Sequence, residues 1–144
     1  MAKIYELTPT RRLANWLMKA LLRAGVGPKA SYLLTVRGRK SGKMRTTPVT
    51  LVEREGQRWL VAPYGEVNWV RNARVAGEVT LTRGRRSETV PVVELSPEES
   101  APILKEYVKR VPITEPYFDA APDAPVEAFV AEAARHPVFR GASA

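Results

Sequence analysis

Nine consecutive residues, Arg37-Gly38-Arg39-Lys40-Ser41-Gly42-Lys43-Met44-Arg45, are the part of this sequence best suited to chemistry with an anion. Glycines at 38 and 42 let a turn adopt positive φ and bring backbone N–H groups toward a negative ligand. Arg39, Lys40 and Arg45 can add charge-assisted hydrogen bonds, and arginine engages phosphate in bidentate fashion. The spacing is not that of the lysine-bearing loop that wraps nucleoside triphosphates. The segment is either a solvated basic hairpin or one wall of an anion site.

Tyr64 and Trp69 follow a strand and open a helix, and aromatics near a basic turn suit a planar ligand. Trp69 reads equally well as core. Asn68 and Asn72, one helical turn apart, could cap the helix or bond a ligand. No acid/base constellation stands out, so no catalytic residue is assigned. His136, ahead of Pro137, reads as a structural tail residue. With one histidine and no cysteine, no disulfide, thiolate nucleophile or multi-histidine metal site is expected. A chain without a catalytic diad often takes its chemistry from a cofactor.

The elements that must position these residues are short. Thr8-Pro9 is an N-cap signal, and a helix is expected over about 9–24, stopped by Gly25 and Gly27-Pro28. Leu13, Trp16, Leu17, Ala20 and Leu21 recur on it at helical spacing, with Arg12, Lys19 and Arg23 set apart. The plainer reading packs that stripe on the core, and the sharper one lays a basic amphipathic helix on a membrane surface. Strands are expected at 31–37, 45–53 and 58–62, joined by short turns. Pro48 within the second requires an edge, a bulge or a ligand-facing break. A helix at 68–76 leads to strands at 78–83 and 88–95. Ser96-Pro97-Glu98-Glu99 then starts a helix to about Arg110. A proline-rich loop over 111–125 precedes a last helix over 126–135 and the tail HPVFRG. Five strands in meander order with flanking helices predict a small closed or half-open barrel of the α+β class in one domain, 1–144. A parallel dinucleotide-binding sheet is excluded, because no helix separates the strands over 31–62.

Net charge is +8, unevenly spread. Residues 7–52 carry ten bases and no acid, whereas residues 87–134 carry ten acids and three bases. The basic half is built to meet an anion: nucleic acid, phosphorylated cofactor or anionic lipid. Interleaved strand aromatics of the RNA-binding kind are missing, so no nucleic-acid partner is expected. No segment is long and apolar enough to span a bilayer, and MAKIYELTPTRR has no apolar leader core. A cytoplasmic protein is expected, with peripheral contact at the inner face of the membrane as the sharper alternative.

Three stretches taken together resemble the deazaflavin-dependent nitroreductase family, split β-barrel oxidoreductases that use coenzyme F420. They are YLLTVRGRKSGKMRTTPV, WLVAPYG and NWVRNARVAGEVTLTRG, in order over about residues 10–95, with HPVFRG as a further short match. The resemblance implies a small split β-barrel with the coenzyme in a groove beside it. It places the phosphate and acidic tail on Arg39, Lys40, Ser41, Gly42 and Arg45. The ring system falls on the backbone of Thr46, Thr47, Pro48 and Val49. Ala62, Pro63, Tyr64, Gly65 and Trp69 then complete the pocket, with Asn72 beside them. The implied reaction is hydride transfer to a small organic acceptor such as a quinone, an enone or a nitro compound. Family members active on nitroimidazoles carry a tyrosine-rich C-terminal segment, whereas Tyr107, Tyr117 and Phe118 stand here in another setting, so the substrate does not carry over.

Charge and spacing alone would also accept FMN on the same barrel, or a non-catalytic fatty-acid- or lipid-binding protein. The partners expected are a small-molecule substrate and, through the N-terminal helix, a membrane surface; the chain is expected to be a monomer or homodimer.

Overall fold

A computed structural model describes residues 8–141. Most of the segment MAKIYELTPTRR, residues 1–7, on which the absence of a leader is expected, lies outside that range. The order of elements is α1 (Pro9–Arg23), β1 (Ser31–Arg37), β2 (Met44–Arg54), β3 (Gln57–Val61), α2 (Asn68–Ala76), β4 (Glu78–Arg83), β5 (Arg86–Glu94), α3 (Pro97–Arg110), a 3-10 turn (Pro112–Tyr117), α4 (Val126–Glu132), a second 3-10 turn (Ala133–Arg135) and β6 (Val138–Gly141).

The strands close into a barrel in the order β1-β2-β3-β6-β5-β4, every pair antiparallel. This is the expected α+β barrel with six strands instead of five. The HPVFRG tail supplies the sixth: Val138 pairs with Val61 and Phe139 with both Leu60 and Glu94, so β6 bridges β3 and β5. The last helix is shorter than expected, ending at Glu132 before the 3-10 turn.

Two cores follow from the period-2 alternation of side chains along strands. Leu34, Val36, Leu51, Leu60, Val79, Leu81, Val90 and Phe139 fill the barrel, joined by Val70 and Ala73 of α2. Val52, Trp59, Val61 and Val138 point outward and pack on Leu104, Tyr107, Val108 and Phe129 of the C-terminal helices. Because β3 is covered on both faces, its Trp59-Leu60-Val61 run is continuously apolar. Helix α3 begins with a full capping box, in which Ser96 Oγ accepts from Glu99 N–H and Glu99 accepts from Ser96 N–H. The backbone bond from Ser96 holds the Glu99 carboxyl below its usual range.

Helix α1 departs from the core-packed reading. Its covered residues are Arg11, Asn15, Met18, Lys19 and Leu22, of which only Leu22 is fully buried. Leu13, Trp16, Leu17 and Leu21 remain 65%, 65%, 53% and 39% exposed. The helical period is right, but the apolar stripe faces away from the barrel. The C-terminal end of α1 is pinned to the β4–β5 hairpin, where Gly84 N–H donates to the Leu22 carbonyl at 2.8 Å. A Cβ on Gly84 would stand 3.1 Å from the Gly25 Cα, so this approach requires glycine.

Candidate cofactor site

The basic turn links β1 to β2 and is closed by its own backbone. Gly38 N–H donates to Lys43 O at 2.8 Å, and Gly42 N–H donates to Gly38 O at 2.9 Å. Lys43 N–H donates to Ser41 Oγ at 3.2 Å. Gly42 sits at φ 72, in the left-handed region. These amides are therefore spent inside the turn, contrary to the expectation that they reach toward an anion. What the turn presents outward is side-chain charge. Arg37, Lys40, Lys43 and Arg45 are exposed, and among the described residues none is paired with a carboxylate. The acids of the C-terminal half instead pair with Arg54, Arg58, Arg74, Arg110 and Arg135. Among the described residues, the bases of this turn are thus left uncompensated.

Arg39 and Asn72 are tied together. Asn72 is 3% exposed, and its Oδ1 accepts from Arg39 N–H at 3.1 Å and from the Arg39 guanidinium at 2.8 Å. Asn72 thus anchors the turn to α2 from behind. Removing a buried acceptor from two donors costs about 1–3 kcal/mol. The Asn72→Ala variant should accordingly lose about that much stability in a denaturant titration, and its turn amides should exchange faster than those of β4.

The strand after the turn is paired on one side only along its first half. Residues 44–50 pair with β1, and pairing with β3 begins at Leu51 opposite Leu60. Leu51 N–H donates to Ala30 O at 2.8 Å, on the β1 side. Antiparallel amides alternate in direction, so the nitrogens of Thr46, Pro48 and Thr50 face the other, open edge. Pro48 therefore costs no ladder bond, and the strand tolerates it without a bulge.

Continuing the β2–β3 ladder would set Val49 opposite Ala62 and Thr47 opposite Tyr64. The strands part instead. Ala62 N–H donates to Pro137 O at 2.9 Å, and Gly65, at φ 97, turns the chain into α2. Thr46, Thr47, Pro48 and Val49 thus lie along one side of the split, and Ala62, Pro63, Tyr64 and Gly65 begin the other. Trp69, at the start of α2, is half-buried with its ring 5.8 Å from that of Phe139.

Tyr64 is backed by other tyrosines. Its ring meets Tyr117 edge-on at 4.8 Å, and the Arg11 guanidinium both lies over the Tyr117 ring and donates to its hydroxyl. Burial, with a smaller contribution from Tyr64, pushes the Tyr107 phenol up from its ordinary value. Tyr107 and Tyr117, whose sequence setting differs from the family's tyrosine-rich segment, thus both lie next to Tyr64. Two shallow depressions, of about 530 and 450 Å³, open elsewhere: one at the β2–β3 hairpin, the other along residues 112–121. No cluster of three or more metal-ligating side chains occurs among the described residues.

This antiparallel barrel is similar to known small reductases. The chain belongs to the F420H(2)-dependent quinone reductase family, whose model matches residues 18–130. It is, by that membership, an F420-dependent oxidoreductase. Among solved structures, an F420-H2-dependent reductase is 25% identical, with a TM-score of 0.56 over 81% of this chain and 97% of that one. A domain-swapped dimer aligns over 94% of this chain and 100% of its own at 22% identity and a TM-score of 0.57. A NimC/NimA family protein from Clostridium acetobutylicum is 14% identical, with a TM-score of 0.52 over 92% of this chain and 86% of that one. No curated protein matches the sequence.

Proposed function

We propose that this protein holds reduced F420 along the split between β2 and residues 62–65 and passes its hydride to a small organic acceptor, such as a quinone, an enone or a nitro compound. The observation that carries this reading is the row of uncompensated bases running straight into an open strand edge. In it, Lys40 and Arg45 hold the phosphate and acidic tail, with Lys43 beside them, while Ser41 and Gly42 shape the turn. The open edge of Thr46, Thr47, Pro48 and Val49 offers backbone groups to a planar ring. Ala62, Pro63, Tyr64, Gly65 and Trp69 close the other side and exclude water, and Arg39 with Asn72 fixes the turn. The bound coenzyme supplies the hydride, and the protein supplies orientation.

A side-by-side titration with F420 and with FMN tests the reading. Micromolar binding of the deazaflavin with weaker FMN binding is expected. Failure of F420 to bind would overturn it, and a yellow preparation carrying FMN would favour the flavin alternative.

A second property is favoured by α1. Its exposed Leu13, Trp16, Leu17 and Leu21 lie beside Arg12, Lys19 and Arg23, an apolar stripe flanked by bases that suits the surface of an anionic membrane. Among the described residues no helix is long and apolar enough to cross one. The protein should co-sediment with phosphatidylglycerol vesicles and not with phosphatidylcholine vesicles. A Trp16→Ser, Leu17→Ser variant should lose most of that binding. Equal sedimentation by the variant would refute the assignment.

A further inference from the structure

His136 is the sole histidine of the chain, and it is 3% exposed. Its Nδ1 lies 2.8 Å from the Pro63 carbonyl oxygen, and its Nε2 lies 2.9 Å from Glu132 Oε1. A carbonyl can only accept, so Nδ1 carries a proton. Glu132, itself 2% exposed, accepts Asp119 N–H on Oε1 at 3.0 Å and Ala120 N–H on Oε2 at 2.7 Å. Its oxygens are thus already acceptors, and a bare Nε2 lone pair would face a carboxylate oxygen. We infer that the ring donates from both nitrogens, as an imidazolium paired with the Glu132 carboxylate. In that form it is a positioning residue that fixes the Pro63-Tyr64-Gly65 junction from behind.

The surroundings agree. Phe118 stacks on the imidazole at 3.9 Å with the planes 19° apart, an arrangement open to a cationic ring. The charged groups facing the pair are few among the described residues. Arg135 lies 3.8 Å from Glu132 and is engaged by Asp119 at 2.7 Å. The β3–α2 junction contributes only the Pro63 carbonyl. One side chain therefore joins α4, the loop at 118–120 and the junction that turns Tyr64 toward the split. The link to coenzyme binding rests on the proposed place of residues 62–65 beside that coenzyme.

The experiment has two arms that fail independently. The first is ¹⁵N NMR of the single histidine in the folded protein. Two proton-bearing ring nitrogens are expected, and one pyridine-like nitrogen would overturn the imidazolium. The second compares His136→Asn, whose amide nitrogen stands where Nδ1 does, with His136→Gln, whose nitrogen stands where Nε2 does. The Asn variant should keep the bond to Pro63 while losing the contact with Glu132, so its Tyr64 and Gly65 amides should exchange more slowly, and its F420 affinity stay closer to the wild type, than in the Gln variant. The Gln variant should lose the exchange protection and bind F420 about tenfold more weakly, the effect of one lost hydrogen bond. Equal exchange at Tyr64 and Gly65 in the two variants would overturn the positioning role, whether or not the coenzyme binds. Altered exchange without F420 binding to the wild type would leave that role standing and remove the proposed function.

Discussion

Replacing Lys40 and Arg45 together by alanine is expected to weaken F420 binding by about 2–4 kcal/mol, roughly 30- to 1000-fold in Kd. Each removes one charge-assisted bond to the acidic end of the coenzyme. Both are exposed in the free protein, which keeps each contribution toward the low end of about 1–3 kcal/mol. Stability should barely move, because neither side chain has a carboxylate partner among the described residues. The wild-type affinity should fall as salt rises, and the double variant should show a flatter salt dependence. Arg85, equally exposed at the β4–β5 turn, serves as control, and Arg85→Ala should bind as the wild type does. Fluorescence titration of F420 at two salt concentrations checks all three statements. A double variant with wild-type affinity would move the tail away from this turn.

The expected effect is large because of how charge is distributed along the chain, and that distribution is legible in the amino-acid sequence itself. The ten bases of residues 7–52 have no acid among them, while the later acids are used by later arginines. The bounds of β1, α2 and β4 are equally legible, because glycine or proline and a change of period mark both ends. Side-chain partnerships are not. Nothing at Asn72 announces that its acceptor is spent on Arg39, 33 residues earlier. In the same way, the period of α1 identifies a helix but not which stripe the barrel covers. The face that docks carries Arg11 and Asn15, with the hydrophobic stripe beside it left outside. The buried ion pair does leave a trace in the sequence: Glu132 and His136 are four residues apart, the spacing of neighbours on a helix face.

Strand β6 is the element hardest to read, and it carries the second large effect. Four residues are too few to show alternation, and their partners lie far away in sequence, at Val61 and Glu94. Yet without β6 the barrel would have two open edges, on β3 and β5. Phe139 is its inward side chain, 2% exposed, packed in the barrel against the half-buried Trp69. Phe139→Ala should therefore cost about 3–5 kcal/mol, by lost burial and by the cavity left among Leu60, Val90 and Trp69. For a chain of this length that is a fall in Tm on the order of 10 °C. Phe139→Leu, which refills much of the volume, should recover more than half of it. The loss should also reach the proposed site, because Trp69 would lose the ring it rests on, so F420 affinity should fall even below the new Tm. If Phe139→Ala melts like the wild type, β6 does not close the barrel as described.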